Sequence, residues 1–404
     1  MTSPVKQVTE LRGYLTAALL ARTADEGARV ALVILALDRT ASAAVGGTLV
    51  ATLLIPHVVA APRVGRLVDR SRRPATVLGG AIAVFGGGLA ASVALLGRAP
   101  LWATYAVLAV AGCCGPAVSG GLTSRLASLA GSGREARAFG LDSLFYNVAG
   151  MAGPAAVGLV AAAAGPGPAV LALAVAAGLG AVGVLTLDLP AAGTVAAAGL
   201  VAIARDPALR TLTLTTGFGQ LGWGGLPVVA ATLAASAHEP ARAGLLLSVV
   251  AGGAFAGSLL WIWRPLPAAW APNVTAWAMV GSGVPLALAA VAHSLTLTAT
   301  LFGLSGIFTG PFAAALFLAR NQLAAETIRT QVFTIGAGVK TAASALGAGL
   351  LGFAAHRPAG TQLLLVAAPI IIAGVAGIQF TAGRGMPRRP SPECGHGQKP
   401  GIRS

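Results

Sequence analysis

The sequence is poor in charged residues, which make up only 10% of its 404 residues. Soluble domains carry roughly 25% charged residues, because water must be met by a polar surface. A chain with 56% hydrophobic residues and so little charge could not cover a soluble surface. We therefore expect lipid to be the solvent for most of the chain, which makes it an integral membrane protein.

Cysteine is also scarce, with three residues, and no cysteine or histidine spacing typical of a metal site is present. No nucleophile–base pair is evident, so we expect no enzyme activity, no metal and no cofactor. The 12 acidic residues are outnumbered by 27 basic ones. The resulting net charge of +15 does not indicate a nucleic-acid partner, because the basic residues are spread through short gaps between apolar segments.

Apolar segments recur along the chain, and a helix that spans the bilayer needs about 20 mostly apolar residues. The sequence predicts an all-α membrane protein with 12 transmembrane helices. We expect these helices near 13–37, 42–63, 74–97, 100–125, 138–164, 168–188, 209–235, 242–263, 270–292, 295–320, 330–355 and 360–381.

The predicted helices form two groups of six, separated by a less hydrophobic segment. A final segment rich in Pro, Gly and Arg shows no apolar periodicity and is expected to be disordered. The expected parts are an N-terminal segment 1–12, a bundle 13–188, a linker 189–208, a bundle 209–381 and a tail 382–404.

Basic residues are distributed unevenly between the two sets of gaps. Of the 27, twenty lie in the termini and in every second gap. The positive-inside rule then predicts a multi-pass protein of the plasma or inner membrane with both termini in the cytoplasm. The other seven are Arg39, Arg98, Arg242 and Arg357 in the opposite gaps, and Arg22, Arg29 and Lys340 within helices.

The two predicted bundles share an internal repeat at an offset of 195 residues. Its members lie around the connection between the fourth and fifth spans of each bundle, which favours a duplication. The matched positions are Gly115-Pro116 with Gly310-Pro311, Arg125 with Arg320, and Arg134 with Arg329.

Residues 65–74, which we call the latch loop, read Gly-Arg-Leu-Val-Asp-Arg-Ser-Arg-Arg-Pro between the second and third predicted helices. This segment resembles the signature loop of the major facilitator superfamily, in which Gly is followed by Asp, a basic residue, a second Gly and further basic residues. Gly65, Asp69, Arg70 and Arg73 match that pattern. Arg72 stands where the family usually has its second Gly.

The resemblance implies two six-helix pseudo-repeat bundles that move a substrate by alternating access, with the latch loop holding the bundles together. Its residues are suited to this, since Gly65 allows two helices to approach and Asp69 can accept from a helix N-terminus. The alternative is an ordinary cytoplasmic loop with one acid. The second bundle has Arg264 at the position of Asp69.

The fifth predicted helix carries Gly150, Gly153, Pro154 and Gly158. This composition resembles the Gly- and Pro-rich fifth helix of the family's drug and natural-product exporters. The small residues permit close packing and the proline can bend the helix. Packing without functional meaning is the alternative.

The first predicted helix carries Arg22, Asp25, Glu26 and Arg29, although charges near the bilayer centre are costly. Spacings of three and four residues place opposite charges on adjoining faces, so a self-neutralised cluster is one interpretation. The other is a carboxylate that exchanges a proton during transport. Lys340 in the eleventh helix could be a counter-ion or a residue that binds an anionic substrate.

Polar residues that could line a substrate cavity are few, which disfavours a sugar. The candidates combine amides with neighbouring aromatic rings, as pockets for amphipathic molecules do. They are Tyr146, Asn147, Phe218, Gln220 and Trp223.

These observations predict a secondary transporter that exports a small hydrophobic or amphipathic organic molecule with protons as the coupling ion. We expect a monomer in the lipid bilayer. The alternatives are an uptake permease for a small metabolite and a membrane sensor that keeps the fold without transporting.

Overall fold

The computed structural model describes residues 4–131, 133–191, 198–236 and 241–383, and within these ranges the chain is helical with no strand. Residues 1–3, residues 192–197 of the expected linker, and residues 384–404 of the expected tail lie outside the described ranges.

The first half of the described chain contains six long helical rods. Helices α4 and α5 form one rod, because a π-helical segment at Ala117–Gly121 joins them without a break. The helices are α1 Pro4–Thr40, α2 Ala43–Arg70, α3 Pro74–Leu95, α4 Leu101–Pro116, α5 Leu122–Ala130, α6 Glu135–Ala164 and α7 Pro166–Leu185.

The second half follows the short helix α8, Gly199–Arg205, and contains six further rods. The described residues thus form twelve long rods, which confirms the predicted all-α architecture. Nine helices in the described ranges are long and apolar enough to cross a membrane by length and composition alone. The rods are α9 Pro207–Ser236, α10 Ala241–Trp263, α11 Ala271–Ala289, α12 Leu295–Leu323, α13 Arg329–Phe353 and α14 Ala359–Gly383.

Packing within the two halves follows one plan. In the first half α1 packs on α6 and α7, α2 on α4, and α3 on α7. In the second half α9 packs on α13 and α14, α10 on α12, and α11 on α14. Each contact has its counterpart one repeat later, as expected for two copies of one six-helix unit.

The halves meet through α2 against α13 and through α6 against α10 and α12. Small residues make these approaches close. A Cβ built on Gly65 of α2 would lie 2.6 Å from Cα of Gln331 in α13, for example. The outside of the bundle is apolar instead, with Leu159 73% exposed and Phe353 85% exposed, as a lipid-facing surface requires.

Two local features differ from the sequence-based expectation. Helix α2 continues to Arg70, so the first six residues of the latch loop are helical and only Ser71–Arg73 connect α2 to α3. The π-helical segment directly follows Gly115-Pro116, whereas Gly310-Pro311 of the repeat lies within the regular helix α12. Proline removes one backbone donor, and a π-segment is one way for the first copy to accommodate this loss.

Candidate functional site

Asp69, near the C-terminal end of α2, connects the two halves. Its carboxylate accepts a hydrogen bond from Arg125 Nη2 at 2.9 Å, within the first half. It also accepts from the backbone N–H groups of Thr330 at 3.2 Å and Gln331 at 3.0 Å, in the first turn of α13. The free N–H groups and the positive dipole end of α13 favour an anion here. We call this arrangement the latch contact.

Gly65 lies one turn before Asp69 and is where α2 approaches α13 most tightly. A Cβ on Gly65 would lie 2.6 Å from Gln331 Cα and would collide with the hydroxyl of Thr334. Ser124 Oγ donates to Thr330 Oγ1 at 2.9 Å, which adds a second polar contact between the halves. The end of the bundle that carries the latch contact, the latch end, is therefore closed.

Two of the loop arginines, Arg72 and Arg73, lie outside the latch contact. Arg72 and Arg73 are exposed, and Arg70 is the last residue of α2. The base that pairs with Asp69 is Arg125, which the sequence analysis counted among the exposed gap charges. Helix α5 continues past Arg125 to Ala130, so this arginine is buried in the bundle. Its match with Arg320 in the repeat was the signal that could have singled it out.

The charges of α1 divide into two clusters instead of one. Arg22 is 1% exposed and forms a salt bridge with Asp142 of α6 at 2.8 Å. Tyr14 donates to the same carboxylate at 2.8 Å, and Thr123 donates to it at 3.0 Å. The expectation that Arg22 neutralises the acids of its own helix is therefore wrong, because a buried acid of another helix lies closer.

Arg29 pairs with two acids of its own helix, Asp25 and Glu26. Its guanidinium lies 3.4 Å from Asp25 and 3.0 Å from Glu26. Asp25 is buried and is not among the residues that line the nearby cavity. The side chain of Glu26 retains 19% exposure and faces that cavity.

A cavity of about 420 Å³, the central cavity, lies between the two halves. It brings together seven residues that the sequence analysis selected: Glu26, Arg29, Tyr146, Asn147, Gln220, Trp223 and Lys340. Phe218 is not among its lining residues. It is 45% exposed on the other side of α9, so the prediction that it lines the cavity is wrong.

Aromatic rings and a buried base, which sequence reasoning missed, complete the central cavity. Phe317 and Phe333 lie 6.2 Å apart between ring centroids and close the cavity towards the latch end. Phe312 packs on Trp223 with centroids 4.6 Å apart. Arg320, predicted as a gap charge, is 1% exposed and lines the cavity because α12 continues to Leu323.

The glycines of α6 have different surroundings. Gly153 packs against α1, since its Cβ would lie 2.7 Å from the backbone of Thr23 and Gly27. Gly150 and Gly158 face open space, so neither is needed for close packing. Pro154 lies within α6, which continues to Ala164.

A second cavity of about 660 Å³ lies wholly within the second half, between α9, α11, α12 and α14. None of the described residues that line it is charged. Because it does not lie between the halves, a movement of one half against the other would not open it to alternate sides. The central cavity is therefore the better candidate site.

The fold and the site define a class of protein: a multi-pass membrane protein built from two six-helix halves around a central cavity. The chain belongs to the Major Facilitator Superfamily, whose sequence model matches residues 14–263. No curated protein sequence matches the chain.

Solved structures share the fold at low sequence identity. A bacterial homologue of the iron transporter ferroportin in an outward-facing state is similar with a TM-score of 0.78 and 17% identity, covering 92% of this chain and 99% of that one. The human organic anion transporter MFSD10 gives 0.74 and 14%, covering 93% and 100%. A proton:xylose symporter with a bound bromodeoxyglucose gives 0.72 and 14%, covering 94% and 96%.

Proposed function

We propose that this protein is a secondary active transporter that moves a small amphipathic organic molecule across the membrane by alternating access. The observation that carries the proposal is a central cavity between two halves, closed at one end by the non-covalent latch contact at Asp69. Contacts of this kind can open while each half keeps its own packing, which is what rocking of one repeat against the other requires.

A reversible cross-link tests whether the latch end must open. Ser124 and Thr330 belong to different halves and their hydroxyl oxygens lie 2.9 Å apart. The variant Ser124→Cys/Thr330→Cys would be made after replacing Cys113, Cys114 and Cys394 with Ala.

We expect oxidation to abolish substrate counterflow in proteoliposomes and reduction to restore it. Each single-cysteine variant is the matched control, and its counterflow should be unchanged by the oxidant. Full activity of the cross-linked protein would refute alternating access through the latch end.

The chemical class of the substrate follows from the lining and not from the fold. The similar structures are named for iron, organic anions and xylose, so the fold does not select among them. Within the described ranges no group of three His, Cys, Asp or Glu residues could hold a metal ion. Trp223, Phe312 and Phe317 supply apolar surface, while Asn147 and Gln220 supply a few polar groups. Such a lining suits an amphipathic molecule.

Proton coupling is assigned to Glu26, with Asp25 behind it. Glu26 reaches the central cavity, and its ion pair with Arg29 leaves part of the carboxylate accessible. Glu26→Gln should uncouple transport from an imposed pH gradient while facilitated exchange of substrate persists. Asp38→Asn, at a partly exposed acid of the same helix, is the control. Gradient-driven accumulation by Glu26→Gln at the parental level would remove this role.

For direction we propose export first, with both termini in the cytoplasm and a monomeric protein. The support is the distribution of basic residues and the resemblance of α6 to the same helix in exporters.

Uptake is the second candidate, and the charge of the central cavity favours it. Arg29, Arg320 and Lys340 outnumber Glu26 among the lining residues, so a proton on Glu26 would add positive charge and promote joint binding with an anion. Accumulation measured in right-side-out and inverted vesicles separates the two directions.

A further inference from the structure

The geometry points to an organic anion as the substrate class, with Arg320 and Lys340 holding its acidic group in the central cavity. This inference rests on the proposed transport function and specifies its cargo. The observations that carry it are the positions of the two bases, the absence of a counter-charge and the apolar walls beside them.

Arg320 and Lys340 face the same part of the central cavity. The guanidinium of Arg320 lies against α13 at Gly336, since a Cβ there would be 2.5 Å from Nη2 and 2.8 Å from Nη1. Lys340 follows Gly336 by four residues, and residues at this spacing lie one above the other on a helix face. Both side chains line the cavity. The two cations are therefore about one helical turn apart on one wall.

Arg320 has no counter-ion in the described part of the chain. No acceptor contacts its Nε and Nη2 atoms, although both are buried. Helices α9–α14 contain no Asp or Glu at all. Asp25 and Glu26 of α1 are both engaged by Arg29. A buried guanidinium without a partner is costly, and an anion that enters from solution would offset this cost.

The side chains next to Arg320 and Lys340 indicate the chemistry of the rest of the substrate. Lys340 Nζ lies 5.4 Å from the centroid of the Phe312 ring, which packs on Trp223. Phe317 and Phe333 add two more rings on the latch side. A planar apolar body next to an acidic group would fill this space, and a forked carboxylate, sulfonate or phosphate suits the guanidinium.

The balance of charge also disfavours the other classes. With all groups ionised, three bases line the cavity against one acid, and counting Asp25 behind Glu26 still leaves an excess of one positive charge. A cationic drug or a metal cation would be repelled. A neutral molecule would leave the buried guanidinium of Arg320 without a counter-ion.

Matched probes test the inference on the purified full-length protein in neutral detergent. They are 2-naphthoate, 2-naphthalenesulfonate and 2-naphthyl phosphate, with 2-naphthamide as the neutral counterpart and 2-naphthylmethylammonium as the cation. Equilibrium dialysis gives their affinities. We expect at least one anion to bind at least tenfold more tightly than the amide, and the cation to bind most weakly.

Variants then assign the binding to the two bases. Arg320→Gln and Lys340→Gln should each weaken binding of the preferred anion at least tenfold and leave the amide unchanged. Arg320→Lys retains the charge and should bind better than Arg320→Gln, which keeps the test valid if the glutamine variant folds poorly. Arg72→Gln, at an exposed base, is the control and should bind like the parent.

Three outcomes would overturn the inference: equal affinity for anions and the amide, tighter binding of the cation, or unchanged anion affinity in both glutamine variants. An anionic lipid is the other source of the same chemistry. The affinity for the anion should be the same in phosphatidylglycerol nanodiscs as in phosphatidylcholine nanodiscs. Loss of anion binding in phosphatidylglycerol would identify a lipid as the occupant instead.

Different results would refute the transport proposal and the organic-anion inference. A latch cross-link without effect on counterflow refutes transport even if anions bind. Counterflow of neutral or cationic compounds alone supports transport and refutes the anion.

Discussion

The two halves share one packing plan but treat buried charge in opposite ways. In the first half each buried arginine has an acid: Arg22 with Asp142 at 2.8 Å and Arg125 with Asp69 at 2.9 Å. In the second half Arg320 is buried and no acid occurs in any long helix. An arginine paired with an acid of another helix holds the two helices together. The guanidinium of Arg320 has no such acid and lines the central cavity.

The internal repeat shows how this difference is arranged. At the offset of 195 residues, Arg125 corresponds to Arg320, while Asp69 corresponds to Arg264. Arg264 is exposed at the end of α10 and offers no counter-charge. The second half thus retains the base and lacks the acid. The comparison teaches that equivalent positions in a duplicated fold can be paired with an acid in one copy and left without one in the other.

The largest effect is expected from breaking the pair inside the first half. Asp142→Asn would leave Arg22 buried without a counter-ion, which costs about 3–5 kcal/mol for a buried pair. We expect loss of monodisperse protein on mild heating in detergent.

The double variant Arg22→Gln/Asp142→Asn removes both charges and should recover most of that stability. Ala337, the repeat counterpart of Asp142, provides the matched position in the second half. Ala337→Asn should cost far less, because no buried base there depends on an acid. Equal losses at the two positions would contradict the comparison.

An intermediate effect is expected at the latch contact. Asp69→Asn removes the charge but keeps an oxygen that can still accept from α13, so we expect a loss of about 1.5–3 kcal/mol, the contribution of one hydrogen bond to a charged group. The population closed at the latch end should fall at least tenfold. Spin labels at Arg73→Cys and Glu326→Cys, in a background without other cysteines, would report a longer distance.

Arg72→Gln is the control for this measurement, since Arg72 is exposed and lies in the same connection. Its distance distribution should match that of the parent. If Asp69→Asn and Arg72→Gln behave alike, Asp69 does not hold the halves together.

The smallest effect is expected from a single methyl group at the interface between the halves. Gly65→Ala would push against Gln331 and Thr334 on α13 and should weaken the closed state by about 1–2 kcal/mol, as overpacking does. Gly150→Ala meets open space and should be neutral or gain up to about 1 kcal/mol from helix propensity.

Thermal stability and label distance would be measured for both glycine variants. A loss at Gly150 as large as at Gly65 would show that glycine content, and not the approach of α2 to α13, is what matters. The repeat counterpart of Gly65 is Leu260, which is 57% exposed, so the glycine of this approach is not repeated in α10.

Much of the fold could be predicted from the sequence because the lipid bilayer restricts which structures an apolar chain can form. Apolar segments of sufficient length must form helices in lipid, where every backbone group needs an internal partner. The helices therefore follow from hydropathy alone. Their ends were less predictable. Helices α5 and α12 run beyond the expected limits because a buried base is tolerated where another helix supplies an acid or a cavity, and α2 does so because Arg125 and the first turn of α13 hold its buried Asp69.

The candidate site was only partly predictable. The charged and amide residues of α1, α6, α9 and α13 stand out in an apolar chain, and five of them line the central cavity together with Tyr146 and Trp223. Phe218 was misplaced because an aromatic residue in a span faces lipid as readily as a cavity. Arg320 was missed because a base near a predicted helix end reads as an exposed gap charge.

The sequence by itself determined that the chain dissolves in lipid, that it forms two sets of six helices, and that its family is recognisable from one short motif. Only the tertiary structure decided which charges meet: Arg22 with Asp142, Arg125 with Asp69, and Arg320 with no acid. The physical reason is that hydropathy and length act locally along the chain. The pairing of charges depends instead on residues more than 50 positions apart, such as Asp69 and Arg125, which only helix packing brings within 3 Å.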